Sequence, residues 1–307
     1  MRSLLIAGIV ATFGTTAIAA QQMTLPRKSG SVRFLVLGDA GTGDREQYET
    51  ANQMLRYGRI FPFTFAIMLG DNLYGSERPQ DFEKKFMRPY KALLEKDVKF
   101  YAVLGNHDDP RQVSYKPFNM HDERYYSFAP PEDLIARLAT RVEFFALDST
   151  NLDLTQLKWL DERLGKSDAE WKICFLHHPL YTSGRYRNTA RVHRWALEPI
   201  LTRHGVNVVF SGHEHIYQRT ALENGIQYFI SGGAGSLRIG DGTPAPYIAR
   251  TFDEDYHFML IEIDGDDLYF QAISRHGLTI DAGELSLTDD EAAKASAATP
   301  AGTPARR

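Results

Sequence analysis

The stretch Val32-Arg33-Phe34-Leu35-Val36-Leu37-Gly38-Asp39 is a short apolar run that ends on a glycine and an aspartate. Runs of this length, rich in Val, Leu and Phe, are typical of a buried β-strand. Glycine at the end permits the sharp turn by which a chain leaves a sheet. The same ending recurs after two later runs, 63–69 before Gly70-Asp71 and 100–104 before Gly105-Asn106-His107. The repetition predicts strands that each deliver a polar side chain at the carboxyl end.

Two amphipathic stretches, Glu46 to Tyr57 and Asp81 to Glu95, separate these three runs and carry apolar residues at helical spacing. Each stretch is long enough to cross over a sheet and bring the next strand back parallel to the last. Parallel strands place their carboxyl ends on one edge, which is where α/β sheets bind ligands. We therefore expect the polar endings to form one site.

The second half of the chain repeats this pattern. Its apolar runs predict strands, and its amphipathic stretches predict helices near 154–164 and 192–204. The predicted strands are 142–147, 171–176 before His177-His178-Pro179, and 207–210 before Gly212-His213-Glu214-His215. Five strand ends thus bring metal-binding or catalytic residue types together. Later runs at 226–230, 257–263 and 268–273 predict a second sheet.

Length and composition favour one large enzyme-sized domain, predicted over residues 31–287. The chain has 307 residues, of which 43% are hydrophobic, and a formal net charge of −4. This charge gives no general attraction to nucleic acid or to an anionic membrane. A phosphate-bearing substrate would need a local positive centre. The tail 288–307 is rich in Ala, Thr, Pro and Gly, which predicts disorder.

The amino terminus has the pattern of a secretory signal peptide. It combines Arg2, an apolar stretch from Leu4 to Ile18, and the small residues Ala17 and Ala19 at its exit. We expect cleavage after Ala19, a linker over 20–30, and a secreted or periplasmic protein with no membrane association afterwards. A membrane anchor is the alternative, but glycines and threonines dilute the apolar run and it is short for a bilayer span.

The side chains at the strand ends are candidate metal ligands. Carboxylate, phenol, amide and imidazole groups suit iron, zinc or manganese, and they are not a calcium set. Any single motif is weak evidence, but their occurrence in order at successive strand ends favours a shared site. The candidates are Asp39, Asp71, Tyr74, Asn106, His177, His213 and His215.

Five sequence blocks carry a resemblance to a known family. They are Gly38-Asp39-Ala40-Gly41, Gly70-Asp71-Asn72-Leu73-Tyr74, Gly105-Asn106-His107-Asp108, His177-His178-Pro179 and Gly212-His213-Glu214-His215. With these blocks the chain resembles the calcineurin-like metallophosphoesterases and, within them, the small, single-domain purple acid phosphatases of the tartrate-resistant kind. Tyr74 discriminates, because the wider superfamily usually has a histidine where Gly41 stands and no tyrosine after the second block.

The resemblance implies an α/β fold, a four-layer αββα sandwich of two mixed β-sheets flanked by helices, with the metal site at the carboxyl ends of the strands. It also implies that Asp39, Tyr74 and His215 hold Fe³⁺ and that Asp71 bridges the two metals. Asn106, His177 and His213 would hold a divalent iron, zinc or manganese ion. His177 is the least secure ligand, because His178 beside it could serve instead.

The implied activity is acid phosphatase chemistry on small phosphomonoesters, by attack of a metal-activated hydroxide on phosphorus. His107 would bind phosphate and protonate the leaving group, Asp108 would orient His107, and His178 is a second candidate contact to substrate. Some relatives carry an extra histidine after the fourth block that helps the leaving group. In this chain the corresponding stretch is Tyr186-Arg187-Asn188, so we do not assign that role here.

Several alternatives stay open. The same scaffold could act as a phosphodiesterase, or as a non-catalytic exported protein that binds metal or phosphate. The arginines of 185–194 form either a cationic rim or an ordinary solvated surface. We expect a monomer.

Overall fold

The apolar runs form β-strands in the computed structural model, which describes residues 23–130 and 140–287. The first three runs are the parallel strands β1 (Val32–Leu37), β2 (Phe65–Met68) and β3 (Lys99–Ala102). Helix α1 (Arg45–Tyr57) connects β1 to β2. A second helical segment connects β2 to β3, as α2 (Pro79–Phe82), a π-helical turn (Glu83–Met87) and α3 (Arg88–Leu94). The predicted crossover connections are therefore confirmed.

The second sheet has four parallel central strands and an antiparallel strand or pair at each edge. The order is β10-β8-β9-β7-β6-β5-β4. The strands are β4 (Tyr126–Phe128), β5 (Val142–Ala146), β6 (Trp171–Leu176), β7 (Val208–Ser211), β8 (Tyr217–Thr220), β9 (Gln227–Ser231) and β10 (Ile248–Phe252). Helix α4 (Leu154–Lys166) connects β5 to β6, and α5 (Arg187–Arg203) connects β6 to β7.

Three long antiparallel strands complete the first sheet. They are β11 (His257–Asp264), β12 (Asp267–Ser274) and β13 (Thr279–Ser286), and they give the order β13-β12-β11-β1-β2-β3. The expectation that the three late runs form a second sheet by themselves is therefore wrong. Strand β9 pairs with β7, whereas β11 pairs with β1 so that Val32 lies opposite Ile263. Apolar runs reveal strands, but pairing across such sequence separations depends on tertiary packing.

Aromatic side chains fill the space between the two sheets. The ring centroids of Phe34 in β1 and Phe144 in β5 lie 5.1 Å apart, and those of Phe34 and Phe210 in β7 lie 6.2 Å apart. Burial of one such ring stabilises the fold by about 1.5 to 3 kcal/mol. The next residue along β5, Phe145, belongs to a separate cluster that packs against α4 and α5. The alternation builds four layers, which confirms the predicted sandwich.

The strand ends that carry the candidate residues come from both sheets. Strands β1, β2 and β3 deliver theirs from the first sheet, and β6 and β7 deliver theirs from the second. The predicted convergence is thus a convergence of two sheet edges. Helix α5 begins at Arg187, earlier than the sequence pattern predicts. None of the helices in the two described ranges combines the length and apolar character needed to cross a bilayer.

The predicted signal peptide 1–19 and tail 288–307 lie outside the described residues. The described part of the predicted linker is attached to the first sheet. The backbone N–H groups of Arg27 and Lys28 donate to Glu262 at 2.7 and 2.6 Å, and Leu25 is buried in the core.

Candidate metal centre

Three of the candidate ligands occupy the left-handed region of backbone conformation. The φ angles of Asp39, Asp71 and His213 are 55°, 49° and 67°. Aspartate and histidine adopt this region more often than most residues, yet it still costs roughly 1 to 3 kcal/mol per residue. The strain falls where each of the three segments leaves its sheet. It aims the three side chains into the space between the two sheet edges.

Glycines in the neighbouring turns allow the aspartates to approach closely. A Cβ atom on Gly105 would lie 2.1 Å from the backbone nitrogen of Asp71, and one on Gly212 would lie 2.4 Å from Oδ2 of Asp39. Both distances are far below a van der Waals contact. Glycine is therefore required at these positions for packing around the site.

One cluster of donor atoms forms a small triangle. The Tyr74 hydroxyl lies 3.2 Å from Oδ1 of Asp39 and 3.0 Å from Nε2 of His215, and the last two atoms are 3.3 Å apart. Ligands about 2.1 Å from a common ion at right angles to one another are separated by about 3 Å. The triangle therefore has the size of one face of a coordination shell.

A second cluster surrounds Nε2 of His177. Nδ1 of this ring lies 2.8 Å from the Leu69 carbonyl oxygen, which can only accept, so Nδ1 carries the proton. In the neutral ring Nε2 then presents a lone pair. Facing it are Oδ1 of Asn106 at 3.0 Å, Nδ1 of His213 at 3.2 Å and Oδ1 of Asp71 at 3.4 Å. Converging lone pairs repel one another unless a cation lies between them.

The charges lead to the same conclusion. Asp39 and Asp71 are 0% and 1% exposed, and within the described residues their only ion-pair partners are His215 and His177. Burial raises the pKa of Asp39 well above its usual value, and burial with the nearby Asp39 and Asp71 raises the pKa of Tyr74. Buried carboxylates without lysine or arginine are strongly unfavourable unless another cation compensates them. The residues fit a metal centre.

Two histidines of the centre, His213 and His215, have lowered pKa values. Burial lowers the pKa of His213 to about 2 and that of His215 to about 4. A neutral imidazole is the form that binds a metal ion. These side chains are therefore available as ligands well below neutral pH.

Asp71 connects the two clusters. Its carboxylate faces His177 in the second cluster and lies close enough to Asp39 and His215 of the first to share an ion with them. The structure thus brings together all seven sequence candidates, with Asp71 in the central position.

His178 lies at the second cluster as well. Its ligating nitrogen could share an ion with those of His177 and His213, so the alternative between His177 and His178 stays open. Nδ1 of His178 is 3.0 Å from the Ser149 hydroxyl, which fixes the ring. Burial lowers its pKa to about 2. His193, which belongs to none of the five sequence blocks, stacks on His178 with ring centroids 4.8 Å apart.

His107 is exposed at the rim of the site. Its backbone N–H donates to Oδ1 of Asp71 at 3.0 Å, and its ring centroid lies 5.1 Å from that of Tyr74. Within the described ranges its imidazole makes no hydrogen bond. The ring is therefore free to contact a substrate.

Asp108 does not make the predicted contact with His107. Its carboxylate accepts from the backbone N–H groups of Asn72, Leu73 and Gly105 at 3.0, 3.0 and 2.7 Å. Burial raises its pKa to about 7. These bonds fix the backbone of the turn that leads to Tyr74. Asp108 therefore supports the site by holding this turn in place.

Two arginines of the segment 185–194 are engaged by partners other than the metal ligands. Arg185 forms an ion pair with Asp241 at 3.1 Å, and Arg194 lies over the Tyr181 ring at 4.4 Å. Neither is a free cation above the metal centre. Tyr186 of this segment reaches the site, with its ring 4.2 Å from that of His213. Glu214 accepts the Tyr186 backbone N–H at 2.7 Å and so faces away from the metal ligands.

The loop after β9 supplies residues that sequence reasoning missed. The Ser236 hydroxyl lies 2.7 Å from Nδ1 of His215, and the Arg238 backbone N–H donates to the His215 carbonyl at 3.1 Å. The signal was the preceding run Gly232-Gly233-Ala234-Gly235, because a Cβ on Gly235 would lie 2.1 Å from the Ala40 carbonyl. A run that packs so closely against the Asp39 loop places the residues after it at the site.

Comparison with known proteins identifies the family. Residues 32–217 match the calcineurin-like phosphoesterase family. Purple acid phosphatase 17 of Arabidopsis thaliana is 31% identical over 246 residues, which cover 70% of this chain and 72% of that protein. The chain belongs to the purple acid phosphatase family of calcineurin-like phosphoesterases. This confirms the resemblance and the predicted enzyme class, a hydrolase of the acid phosphatase type.

Other relatives extend the comparison. Tartrate-resistant acid phosphatase type 5 of Oryctolagus cuniculus is 26% identical over 252 residues, covering 70% of this chain and 77% of that one. The structure of purple acid phosphatase PPD1 from yellow lupin superposes with a TM-score of 0.66 at 18% identity, covering 92% of this chain and 58% of the lupin chain. GAP50, the anchor in the inner membrane complex of Plasmodium, gives a TM-score of 0.70 at 18% identity, covering 86% and 94%. These two structures show a shared fold.

Proposed function

We propose that this purple acid phosphatase family member is a binuclear-metal enzyme that hydrolyses small phosphomonoesters. The observation that carries the proposal is the pair of buried carboxylates, Asp39 and Asp71, surrounded by lone pairs of tyrosine, asparagine and histidine and without a lysine or arginine partner. The neutrality of His213 and His215 in acid supports an acid phosphatase.

Under this proposal the two clusters hold different ions. Asp39, Tyr74 and His215 would hold Fe³⁺, because anionic oxygens favour the higher charge. Asn106, His177 and His213 would hold a divalent iron, zinc or manganese ion, with Asp71 shared. When bound, such a pair neutralises the charge of a phosphate ester and makes water acidic enough to supply a nucleophile.

The protein side chains around the centre would handle substrate and protons. His107 has an exposed imidazole without a hydrogen-bond partner in the described residues, so a ring nitrogen can contact phosphate and donate a proton to the leaving oxygen. Nδ1 of His178 is engaged by Ser149, which leaves Nε2 for the phosphate. The positioning of Asp71 by the His107 backbone N–H is independent of the His107 ring.

Two model substrates test the proposal. We expect the metal-loaded protein to hydrolyse p-nitrophenyl phosphate much faster than its bis-ester, to lose activity on metal chelation, and to recover it with iron and zinc. A strong preference for the bis-ester would support a phosphodiesterase instead. Metal binding without hydrolysis of either ester would support a non-catalytic binding protein.

The ferric assignment depends on Tyr74. A phenolate bound to Fe³⁺ absorbs visible light, so the purified protein should be pink to purple, and Tyr74→Phe should lose this absorption while iron is retained by Asp39, Asp71 and His215. Tyr186→Phe is the matched control, because Tyr186 packs on His213 in the other cluster and the colour should persist. Visible spectra with metal analysis of each variant provide the measurement. A colourless wild-type protein with two zinc ions would contradict the assignment.

A further inference from the structure

Arg238 is an arginine at the edge of the metal centre that has no ion pair within the described parts of the chain. Its backbone N–H donates to the His215 carbonyl, and Ser236, two residues earlier, bonds to the His215 ring at 2.7 Å. The segment that carries Arg238 is therefore fixed against a candidate ligand from two sides. This position is set by packing, since β9 and the glycine run after it lead directly to Ser236.

The guanidinium of Arg238 packs over the Tyr186 ring, which in turn contacts the second cluster. Its central carbon is 5.5 Å from the centroid of Tyr186, whose ring is 4.2 Å from that of His213. Arg238 is thus next to one histidine of each metal cluster, to His215 through its backbone and to His213 through the Tyr186 ring.

The hydrogen-bonding state of Arg238 is unusual. One terminal nitrogen of the guanidinium, Nη1, is buried and has no hydrogen-bond partner. A buried cationic donor without an acceptor is unfavourable, and metal cations nearby would add repulsion. An anion placed between the guanidinium and the metals would remove both penalties. Arginine is well suited to this role, because its planar fork donates two parallel hydrogen bonds to a phosphate.

We propose that Arg238 binds the phosphate group of the substrate, with the Tyr186 ring supporting the guanidinium. The inference rests on the proposed phosphatase function, since it names the residue that recognises the phosphate at that same site. It assigns a substrate-binding role to the loop after β9, outside the five sequence blocks.

The competing explanation is a structural contact with Asp241. Oδ2 of Asp241 is also buried without a hydrogen-bond partner, while Oδ1 pairs with Arg185 at 3.1 Å. The Asp241 backbone N–H donates to the Arg238 carbonyl at 3.4 Å, so the two residues share one turn. A test must therefore separate loss of phosphate binding from loss of this turn.

Calorimetric titration of the metal-loaded protein with inorganic phosphate makes the separation. We expect Arg238→Met to raise the phosphate dissociation constant about 10- to 100-fold, as for loss of a charged hydrogen bond. Arg238→Lys should recover part of the affinity, because lysine restores charge without the fork. Arg187→Met removes an exposed arginine next to Tyr186 in the chain; it is the matched control and should bind phosphate as the wild type does.

Two further results decide between the explanations. The KM for p-nitrophenyl phosphate should rise with the phosphate dissociation constant in Arg238→Met, while Asp241→Asn should leave both unchanged. Unchanged phosphate affinity in a folded Arg238→Met protein, or equal losses in Asp241→Asn, would overturn the proposal. If Arg238→Met does not fold, an Arg238→Lys protein with wild-type affinity would overturn it. Phosphate binding needs no turnover. A wild-type protein that binds phosphate through Arg238 but hydrolyses neither ester would therefore refute the proposed hydrolysis and leave the binding role of Arg238 intact.

Discussion

Asp71→Asn is expected to lower phosphatase activity by about 10³-fold or more and to leave less than two metal ions bound per chain. Asparagine keeps the size of the side chain and can still accept the His107 backbone N–H, so the fold should persist. It removes the negative charge that lies between the two clusters. Metal analysis by mass spectrometry and the initial rate on p-nitrophenyl phosphate are the measurements.

In the metal-free protein, Asp71→Asn should increase stability instead of impairing the site. Asp71 is one of two buried carboxylates, and its charge contributes to the raised pKa of Asp39. Neutralising Asp71 should raise the free energy of unfolding of chelator-treated protein by about 1 to 3 kcal/mol. Urea unfolding measures this change.

Asp148→Asn provides the matched control. Asp148 is equally buried, at 1% exposed, but it pairs with Arg124 at 2.8 Å. Its neutralisation should lower the free energy of unfolding by about 1 to 3 kcal/mol and leave both metals in place. If Asp71→Asn retained two metals and wild-type turnover, the central role given to Asp71 would be wrong.

His107→Ala should lower kcat by about 10²- to 10⁴-fold for alkyl phosphates without loss of metal. The ring would protonate the leaving alkoxide, and the hydrogen bond from His107 to the candidate ligand Asp71 comes from the backbone N–H, which the substitution keeps. The defect should be much smaller for p-nitrophenyl phosphate, because p-nitrophenolate is stable without a proton. Rates on both kinds of ester, with metal content, make the test.

His204→Ala is the control for removal of a histidine. His204 follows α5 at the opposite edge of the second sheet, where it bonds to Asp161 at 2.7 Å. Its substitution should leave both rates unchanged. An equal loss for both esters in His107→Ala would argue against proton donation, and full activity would remove His107 from the reaction.

The sequence predicted the central strands well because their burial is continuous. Val32–Leu37 and Trp171–Leu176 have the predicted bounds, and both are buried along most of their length. The edge strands of the second sheet were missed, as for Ile248–Phe252, whose residues are all half-buried or exposed. A strand with both faces partly in water carries no apolar pattern to read.

The candidate ligands were predictable because they follow strand ends, and several of them stand next to a glycine. Asp39 and Asp71 follow glycines, and His213 follows Gly212. Tyr186 carries no such local signal, and Ser236 and Arg238 are marked only by the glycine run before them, since all three reach the site through tertiary packing. The contact expected between Asp108 and His107 was wrong, because the partners of Asp108 lie in the turn after β2, which is distant in sequence.

The two clusters of donor atoms are each built from both sheets. In the first, Asp39 and Tyr74 from the first sheet face His215 from the second, and in the second, Asn106 faces His177. Ions bound there would cross-link the two sheets at two points, one on each side of Asp71. The relative position of the two sheets at this end of the sandwich would then depend on metal occupancy.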